Sequence, residues 1–335
     1  MNNILVVNIN WLGDAVFSTP VFKALKDNFP KARVSCLCVP RVKKVLELCS
    51  FIDEIIVYDE KGKHFWPWAK CSLVADLRRK CFDVAFLLHR SATRGVLVYL
   101  AGIPQRVGYC KTKSLLTQPV DFCDDGIHRR DVYLKVLEAY GLKIKDKTCQ
   151  LKLNPEDVKQ LEVLLEAKGI THKDKIIVLH TAGNWELKRW PASSFVHLIE
   201  SILERYQVKI ILSGSYSDLE YAQSINQQAG NRAVVVAGQT SLGQSLALYH
   251  RAKVMISSDS GPLHLAHSVG ANVIGIYGPT RVEITGPQGV GHSEVLFKDV
   301  GCNKSPCYYL GCTSNICMQA ITVEDVLKAI QKFIS

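Results

Sequence analysis

The sequence predicts an α/β protein of two doubly wound domains facing each other across a cleft, and three observations carry that expectation. At 335 residues the chain is long for one hydrophobic core, because domains run to roughly 100–200 residues. Short β-branched runs alternate with amphipathic helical stretches, the pattern of a parallel sheet covered on both faces. That alternation restarts after residue 170, behind a charged helical stretch at 154–173.

In the first half, the strand ILVVNIN feeds a helix in AVFSTPVFKALKDNF. RVSCLCV leads into RVKKVLELC, EIIVYD into a helix near AKCSLVADLRRK, and DVAFLLH follows. The second set runs IIVLHTAG, a helix at 193–206, VKIILSGS, a helix near 219–228, AVVVAG, a helix near 242–251, VMISSDS, a short helix at 263–269, and NVIGIYG. The domains are therefore expected at 1–155 and 172–320. A last helix within 321–335 has the first domain as one surface it can pack on.

Composition narrows the function classes. The opening MNNILVVNIN has no basic leader or small-residue cleavage site, so no signal peptide is expected. No apolar run approaches the roughly 20 residues of a membrane-spanning helix, so a cytoplasmic protein is expected, with any membrane contact peripheral. The formal net charge of +10 favours an acidic partner, and Arg and Lys concentrate at 78–80, 90–94, 106–113 and 128–130. No run matches a nucleic-acid motif. Of 12 cysteines, eight are scattered through strand and helix runs and read as reduced thiols.

The segment SSDSGPLHLAHSVGANVIGIYGPT at 257–280 carries the strongest chemical signal. A strand ends in Asp259-Ser260-Gly261 and a helix starts near Pro262, where the N–H groups of a helix N-terminus favour an anion such as a diphosphate. Gly261 permits close approach, Ser260 offers a hydroxyl, Asp259 suits sugar hydroxyls better than phosphate, and His264 sits in the first turn. The plainer alternative has Asp259 and Ser260 as helix caps and His264 as a surface residue.

At a second strand end, Thr181, Ala182 and Gly183 precede Lys188, Arg189 and Trp190, small turn residues with a cation nearby. Solvated cations and a Trp190-Pro191 staple on the next helix are the alternative. At the third, Gly214 permits close approach and Glu220 can accept from ribose hydroxyls, with Asp218 in its place, or a plain exposed helical carboxylate, as the alternatives. In the first domain, Asn10-Trp11-Leu12-Gly13-Asp14 lacks the glycines of a dinucleotide fingerprint. Asp14 either caps its helix or takes a proton from an attacking hydroxyl. Cys302, Cys307, Cys312 and Cys317 form C-x4-C-x4-C-x4-C without the C-x2-C pairs usual at zinc, so a structural metal site and plain structural thiols both stay open.

Together these motifs resemble glycosyltransferase family 9, the bacterial lipopolysaccharide heptosyltransferases, and within it the heptosyltransferase II branch. The pieces are ILVVNINWLGDAVFSTPVFKALK, KRWP at 188–191, LSGS followed by Glu220, GQTSL at 238–242, SDSGPLHLA at 258–266, YGPT at 277–280 and the cysteine-rich tail. The resemblance spans nearly the whole chain. It implies a GT-B fold of two Rossmann-like domains, the N-terminal one binding acceptor and the C-terminal one binding ADP-heptose, and a reaction that inverts the anomeric centre without a metal ion or other cofactor. Asp14 matches the proposed general base, Lys188 the neutraliser of the donor phosphates and Glu220 the ribose carboxylate. Thr181, Asp259, Ser260, Gly261 and His264 fall in the donor site.

An acidic lipid-linked oligosaccharide acceptor would meet Arg90, Arg94, Arg106 and Lys111, with Lys113 beside them, at the inner face of the cytoplasmic membrane. Trp11 and Pro262 depart from the family's usual runs and bear on sugar and acceptor identity. Transfer of another nucleotide-activated sugar to a cell-envelope glycan is the nearest alternative, and a nucleotide-sugar epimerase or silent binding protein of the same fold is a further one.

Overall fold

A computed structural model describes residues 1–122, 126–183, 185–302, 304, 307, 309 and 311–334. Chain contacts divide it into two compact units, Met1–Lys152 and Leu153–Ser335. The first unit runs β1 (Asn3–Val7), α1 (Leu12–Phe17), α2 (Thr19–Asn28), β2 (Arg33–Cys38), α3 (Pro40–Leu46), β3 (Glu54–Val57), α4 (Pro67–Arg79), β4 (Val84–Leu87), α5 (Ala92–Leu100), β5 (Gln105–Gly108), β6 (Gln118–Pro119) and α6 (Arg129–Ala139). Its strands pair in parallel in the order β3-β2-β1-β4-β5-β6.

The second unit runs α7 (Pro155–Glu166), β7 (Ile176–His180), α8 (Ala192–Arg205), β8 (Lys209–Ser213), α9 (Leu219–Gln228), β9 (Val234–Val235), α10 (Leu242–Arg251), β10 (Val254–Ser258), α11 (Gly261–Ser268), β11 (Val273–Tyr277), α12 (Val282–Thr285), β12 (Ser293–Phe297), α13 (Ile316–Gln319) and α14 (Val323–Ile334). Its order, β12-β11-β10-β7-β8-β9, repeats the first with the same connectivity. In both sheets the order reverses beside the first strand, between β1 and β4 and between β7 and β10. Successive crossovers leave to opposite faces there, and the carboxyl ends of those strands flank a crevice suited to ligands.

The strands are apolar throughout because both faces are covered. Every residue of β7 is buried, as are Ile4 to Val7 of β1. In the first unit, Leu5 and Val7 share one face of β1 by the two-residue period and pack with Leu37, Ala85 and Leu87 against Leu73 and Leu77 of α4 and Leu97 and Val98 of α5. In the second, Ile177, Leu179, Ile210, Leu212, Val254 and Ile256 share a core with Leu198, Ile199 and Ile202 of α8. Pro155, Pro67 and Pro262 each stand in the first turn of a helix, where the missing N–H costs nothing.

The last helix, α14, places Val326, Leu327, Ala329, Ile330 and Ile334 in the core of the second unit. Arg205–Glu324 (3.2 Å), Lys298–Asp325 (2.5 Å) and Lys332–Glu294 (2.7 Å) flank that face with ion pairs to the same unit. Its apolar stripe is therefore built into the core of the second unit. No helix among the described residues is long and apolar enough to cross a membrane. Because Ile330 is fully buried, Ile330→Ala is expected to lower unfolding stability by about 2–5 kcal/mol in urea titration; a loss indistinguishable from zero would show that α14 is not part of the folded core.

Candidate functional site

The side chains with the most chemistry in the second unit converge on Asp259, the residue at which β10 stops. Its carboxylate is 4% exposed. Lys188 Nζ donates to Oδ2 at 2.7 Å, Thr280 Oγ1 at 2.7 Å and Thr285 Oγ1 at 3.2 Å, while His264 Nε2 donates to Oδ1 at 3.2 Å. Burial alone would push the Asp259 pKa up, but the bond from His264 and the charge of Lys188 outweigh it and hold the carboxyl well below the usual range. The same negative charge, second to burial, drives the neighbouring Tyr277 phenol well above its ordinary value.

Each partner arrives by a different route through the sheet. His264 lies in the first turn of α11, buried rather than at the surface, and Ser260 enters that helix in extended backbone without capping it by its side chain. The Ser260 hydroxyl instead meets that of Ser257 at 3.0 Å. Thr280 follows β11, and Thr285 ends α12, whose backbone carbonyl also accepts from Tyr277 (2.8 Å). Lys188 closes a single 3-10 turn, Glu186–Lys188, with its ammonium 5.3 Å from the centre of the Trp185 ring.

That turn is pinned at its exit. Trp190 is fully buried, donates to the Ile321 carbonyl at 2.9 Å and packs edge-on against Phe195 at 5.0 Å, the staple anticipated from sequence. Arg189 is spent on the Gly183 carbonyl at 3.0 Å.

On the adjacent strand β7, His180 is in register with Ser257 of β10, so Thr181 leaves the sheet beside the Asp259 cluster. Thr181 is 2% exposed, and its Oγ1 has no hydrogen-bond partner among the described residues. A Cβ built on Gly183 would meet no atom within 4 Å. A buried orphan hydroxyl at a strand end is a group that a water or a ligand atom can complete. His180 itself is driven down to about 4 by burial and stays neutral. At the next strand end, Asp218 is consumed by a capping box with Ser215 (2.8 Å to its N–H, 2.6 Å to its hydroxyl), whereas Glu220 is exposed in the first turn of α9. Of the two carboxylates, Glu220 is the exposed one.

In the first unit, Asp14 occupies the first turn of α1 and accepts from the Tyr133 hydroxyl of α6 at 2.8 Å. Burial, reinforced by Asp14, raises the Tyr133 pKa well above its ordinary value, so the phenol stays a donor. Sequence reading had no means to find Tyr133, which is 119 residues away.

The basic residues expected to face an acceptor divide into two kinds. Arg94 is 2% exposed and donates to the Asn8 carbonyl (2.6 Å) and Asn10 Oδ1 (2.5 Å), so it braces the loop that leads into the helix of Asp14 instead of facing solvent. Arg106 is likewise committed, to the Leu115 (2.7 Å) and Ile103 (2.5 Å) carbonyls. Arg90 and Lys111 are exposed at the carboxyl ends of β4 and β5, Arg90 4.5 Å from the centre of the Phe122 ring, and Lys113 pairs with Asp121 at 2.5 Å.

Cys302, Cys307, Cys312 and Cys317 border one pocket, with Gly278 and Phe297 among its other walls, and all four are thiols. No group of three or more His, Cys, Asp or Glu among the described residues is spaced to hold a metal ion. In the second unit, Thr280 and Thr285 are the site residues that sequence reasoning missed; YGPT, the motif containing Thr280, was the available signal.

Residues 71–314 match the model of glycosyltransferase family 9 (heptosyltransferase). The chain is 26% identical over 304 residues to lipopolysaccharide heptosyltransferase 2 of Escherichia coli K12, covering 85% of each. Among solved structures, a family 9 glycosyltransferase from Veillonella parvula superposes with a TM-score of 0.87 at 24% identity, covering 99% of this chain and 97% of that one. The ADP-heptose lipopolysaccharide heptosyltransferase II of E. coli superposes with a TM-score of 0.80 at 21% identity, covering 100% and 98%. These likenesses show the fold, GT-B, with two Rossmann-like domains in one chain.

The ionised Asp259 stabilises the second unit above its unfolded pKa of about 3.9, and that contribution is lost as pH falls through the depressed folded value. Asp259→Asn is expected to flatten the loss of stability on acidification below about pH 4, read from urea midpoints at successive pH values. Parallel curves for wild type and variant would contradict the depressed pKa.

Proposed function

The chain belongs to glycosyltransferase family 9 and is a glycosyltransferase, and from that premise we propose that it moves heptose from ADP-heptose to a sugar hydroxyl of the lipopolysaccharide inner core, with inversion at the anomeric carbon. The observation that carries this reading is the juxtaposition, at adjacent strand ends of the second unit, of a tethered lysine, a helix N-terminus and the orphan hydroxyl of Thr181. All three are suited to a diphosphate, and the 26% identical relative is a lipopolysaccharide heptosyltransferase.

In this reading the acceptor hydroxyl oxygen attacks the anomeric carbon from the face opposite the diphosphate. The new C–O bond forms as the old one breaks, ADP departs with the bonding electron pair, and Asp14 takes the hydroxyl proton. Negative charge grows on the departing diphosphate, where Lys188 and the α11 N–H groups of the Ser260-Gly261 turn stabilise it more in the transition state than in the bound donor. Thr181 donates its unpaired hydroxyl to a phosphoryl oxygen, and Glu220 accepts from the ribose hydroxyls.

His264 and Asp259 act one step back by fixing Lys188. The four donors already on Asp259 support that role over a direct contact with sugar. Arg90 and Lys111 meet the acidic sugars or phosphates of the acceptor. No cofactor enters the reaction as written, and it takes place in the cytoplasm at the inner face of the cytoplasmic membrane, where a lipid-linked acceptor is exposed.

With ADP-heptose and a deacylated inner-core acceptor, the wild type is expected to give a product heavier by one heptose in mass spectrometry. Asp14→Asn should keep ADP affinity and lose about 10²- to 10⁴-fold in kcat. A variant that turns over at the wild-type rate would remove Asp14 from the base role, and no heptose addition by the wild type would overturn the proposed reaction.

A further inference from the structure

The loop after β3 carries a feature that the reaction does not use. Phe65, Trp66 and Trp68 are 57%, 55% and 67% exposed, the largest concentration of aromatic surface among the described residues. Trp66 and Trp68 stack face to face (5.1 Å, 5°), and Phe65 meets Trp66 edge-on (5.2 Å, 85°), so the three rings form one projecting block. Exposing that much aromatic surface to water is unfavourable, and contiguous patches of this kind mark interaction sites.

The presentation is built, not incidental. The Asp59 carboxylate accepts from the Gly62 (3.0 Å) and Lys63 (3.1 Å) amides, and a Cβ at Gly62 would fall 2.3 Å from Asp59 Oδ2. His64 turns inward to 6% exposure. Its Nδ1 accepts from the Asp59 amide at 3.1 Å, and its own amide donates to the Asp59 carbonyl at 2.8 Å. Burial lowers the His64 pKa and keeps the ring a neutral acceptor. With the histidine as inner anchor and Pro67 opening α4, the aromatics are held outward on a closed loop.

Cations flank the block in the chain. Lys61 and Lys63 are exposed beside it and Lys70 is half-buried one helical turn on, while Asp59 is occupied by backbone amides and Glu60 lies within electrostatic reach of Arg94. The loop leaves the carboxyl end of β3, and the same edge of the same sheet bears Asp14, the exposed Trp11 with Arg41 over its ring at 4.9 Å, and Arg90 and Lys111.

We infer that Phe65, Trp66 and Trp68, with Lys61 and Lys63, form a docking surface for an anionic lipid bilayer. Amphipathic aromatic rings settle at the headgroup level, and lysine stems lie along apolar surface while their ammonium groups reach lipid phosphates. Lysine is depleted from protein–protein interfaces, which argues against a second copy of this chain as the occupant. The choice of a membrane rests on the transferase reading. A lipid-linked acceptor presents its sugar just above the bilayer, and docking by this edge brings the edge that bears Asp14 to that height.

The test is flotation of the full chain with phosphatidylglycerol-rich vesicles and with pure phosphatidylcholine vesicles, alongside heptose transfer to the deacylated acceptor in solution. Wild type should float with the anionic vesicles and release as salt rises. Trp66→Ser/Trp68→Ser should lower the partition coefficient at least about tenfold with turnover of the soluble acceptor unchanged, and Lys61→Glu/Lys63→Glu should weaken flotation in the same direction. If wild type and aromatic variant float alike, or wild type does not float, the surface is not a membrane dock. A wild-type dimer that the aromatic variant splits, with neither floating, assigns the patch to self-association and overturns the inference. Flotation that depends on the aromatics in a protein unable to transfer heptose leaves the dock standing and removes the transferase reading.

Discussion

A carboxylate taken out of water is tolerated only where the protein replaces its hydration, and the second unit is organised around meeting that demand at Asp259. The partners come from four places in the chain: the 3-10 turn after β7, the first turn of α11, the loop after β11 and the end of α12. Each would have its own freedom if the carboxylate were absent. With it, four segments converge at the order reversal of the sheet, and one long flexible side chain, Lys188, is held in a single orientation. Removing one partner from a buried pair of this kind leaves a charge uncompensated, at a typical cost of roughly 3–5 kcal/mol. Preorganised charge is what a reaction that expels a diphosphate requires.

The first unit uses the same device with the sign reversed. Arg94 is a buried cation whose donors go to Asn8 and Asn10, so the loop between β1 and α1 is braced before Leu12 begins the helix that carries Asp14. Tyr133 then fixes one carboxylate oxygen from α6. A candidate base held by a loop brace and a phenol has a defined orientation, and exposed cations at neighbouring strand ends leave the surrounding potential positive.

Much of this was legible in the sequence, because some physical requirements leave local marks. The alternation of strand and helix runs read correctly as two doubly wound units, since strands covered on both faces must be continuously apolar. Asp259, Ser260, Gly261 and His264 were visible because a strand end, a small residue and a helix start fall within six positions. Convergence over long separations leaves no such mark. Thr285 and Tyr133 join their carboxylates from 26 and 119 residues away. Arg94 and Arg106 look acceptor-facing in the sequence because it counts charges without showing which are consumed by backbone carbonyls. The sequence puts Glu220 ahead of Asp218 for the ribose hydroxyls, and the capping box that occupies Asp218 supplies a physical reason no spacing could show.

Whether Asp259 works through Lys188 is open to a direct test. A double-mutant cycle on ADP affinity, by calorimetry of wild type, Asp259→Asn, Lys188→Ala and the double variant, isolates that dependence. If the carboxylate acts by holding the lysine, each single variant weakens ADP binding and the double variant is no weaker than Lys188→Ala alone. Fully additive losses would mean that the two residues contribute separately, and the organising role assigned to Asp259 would be contradicted.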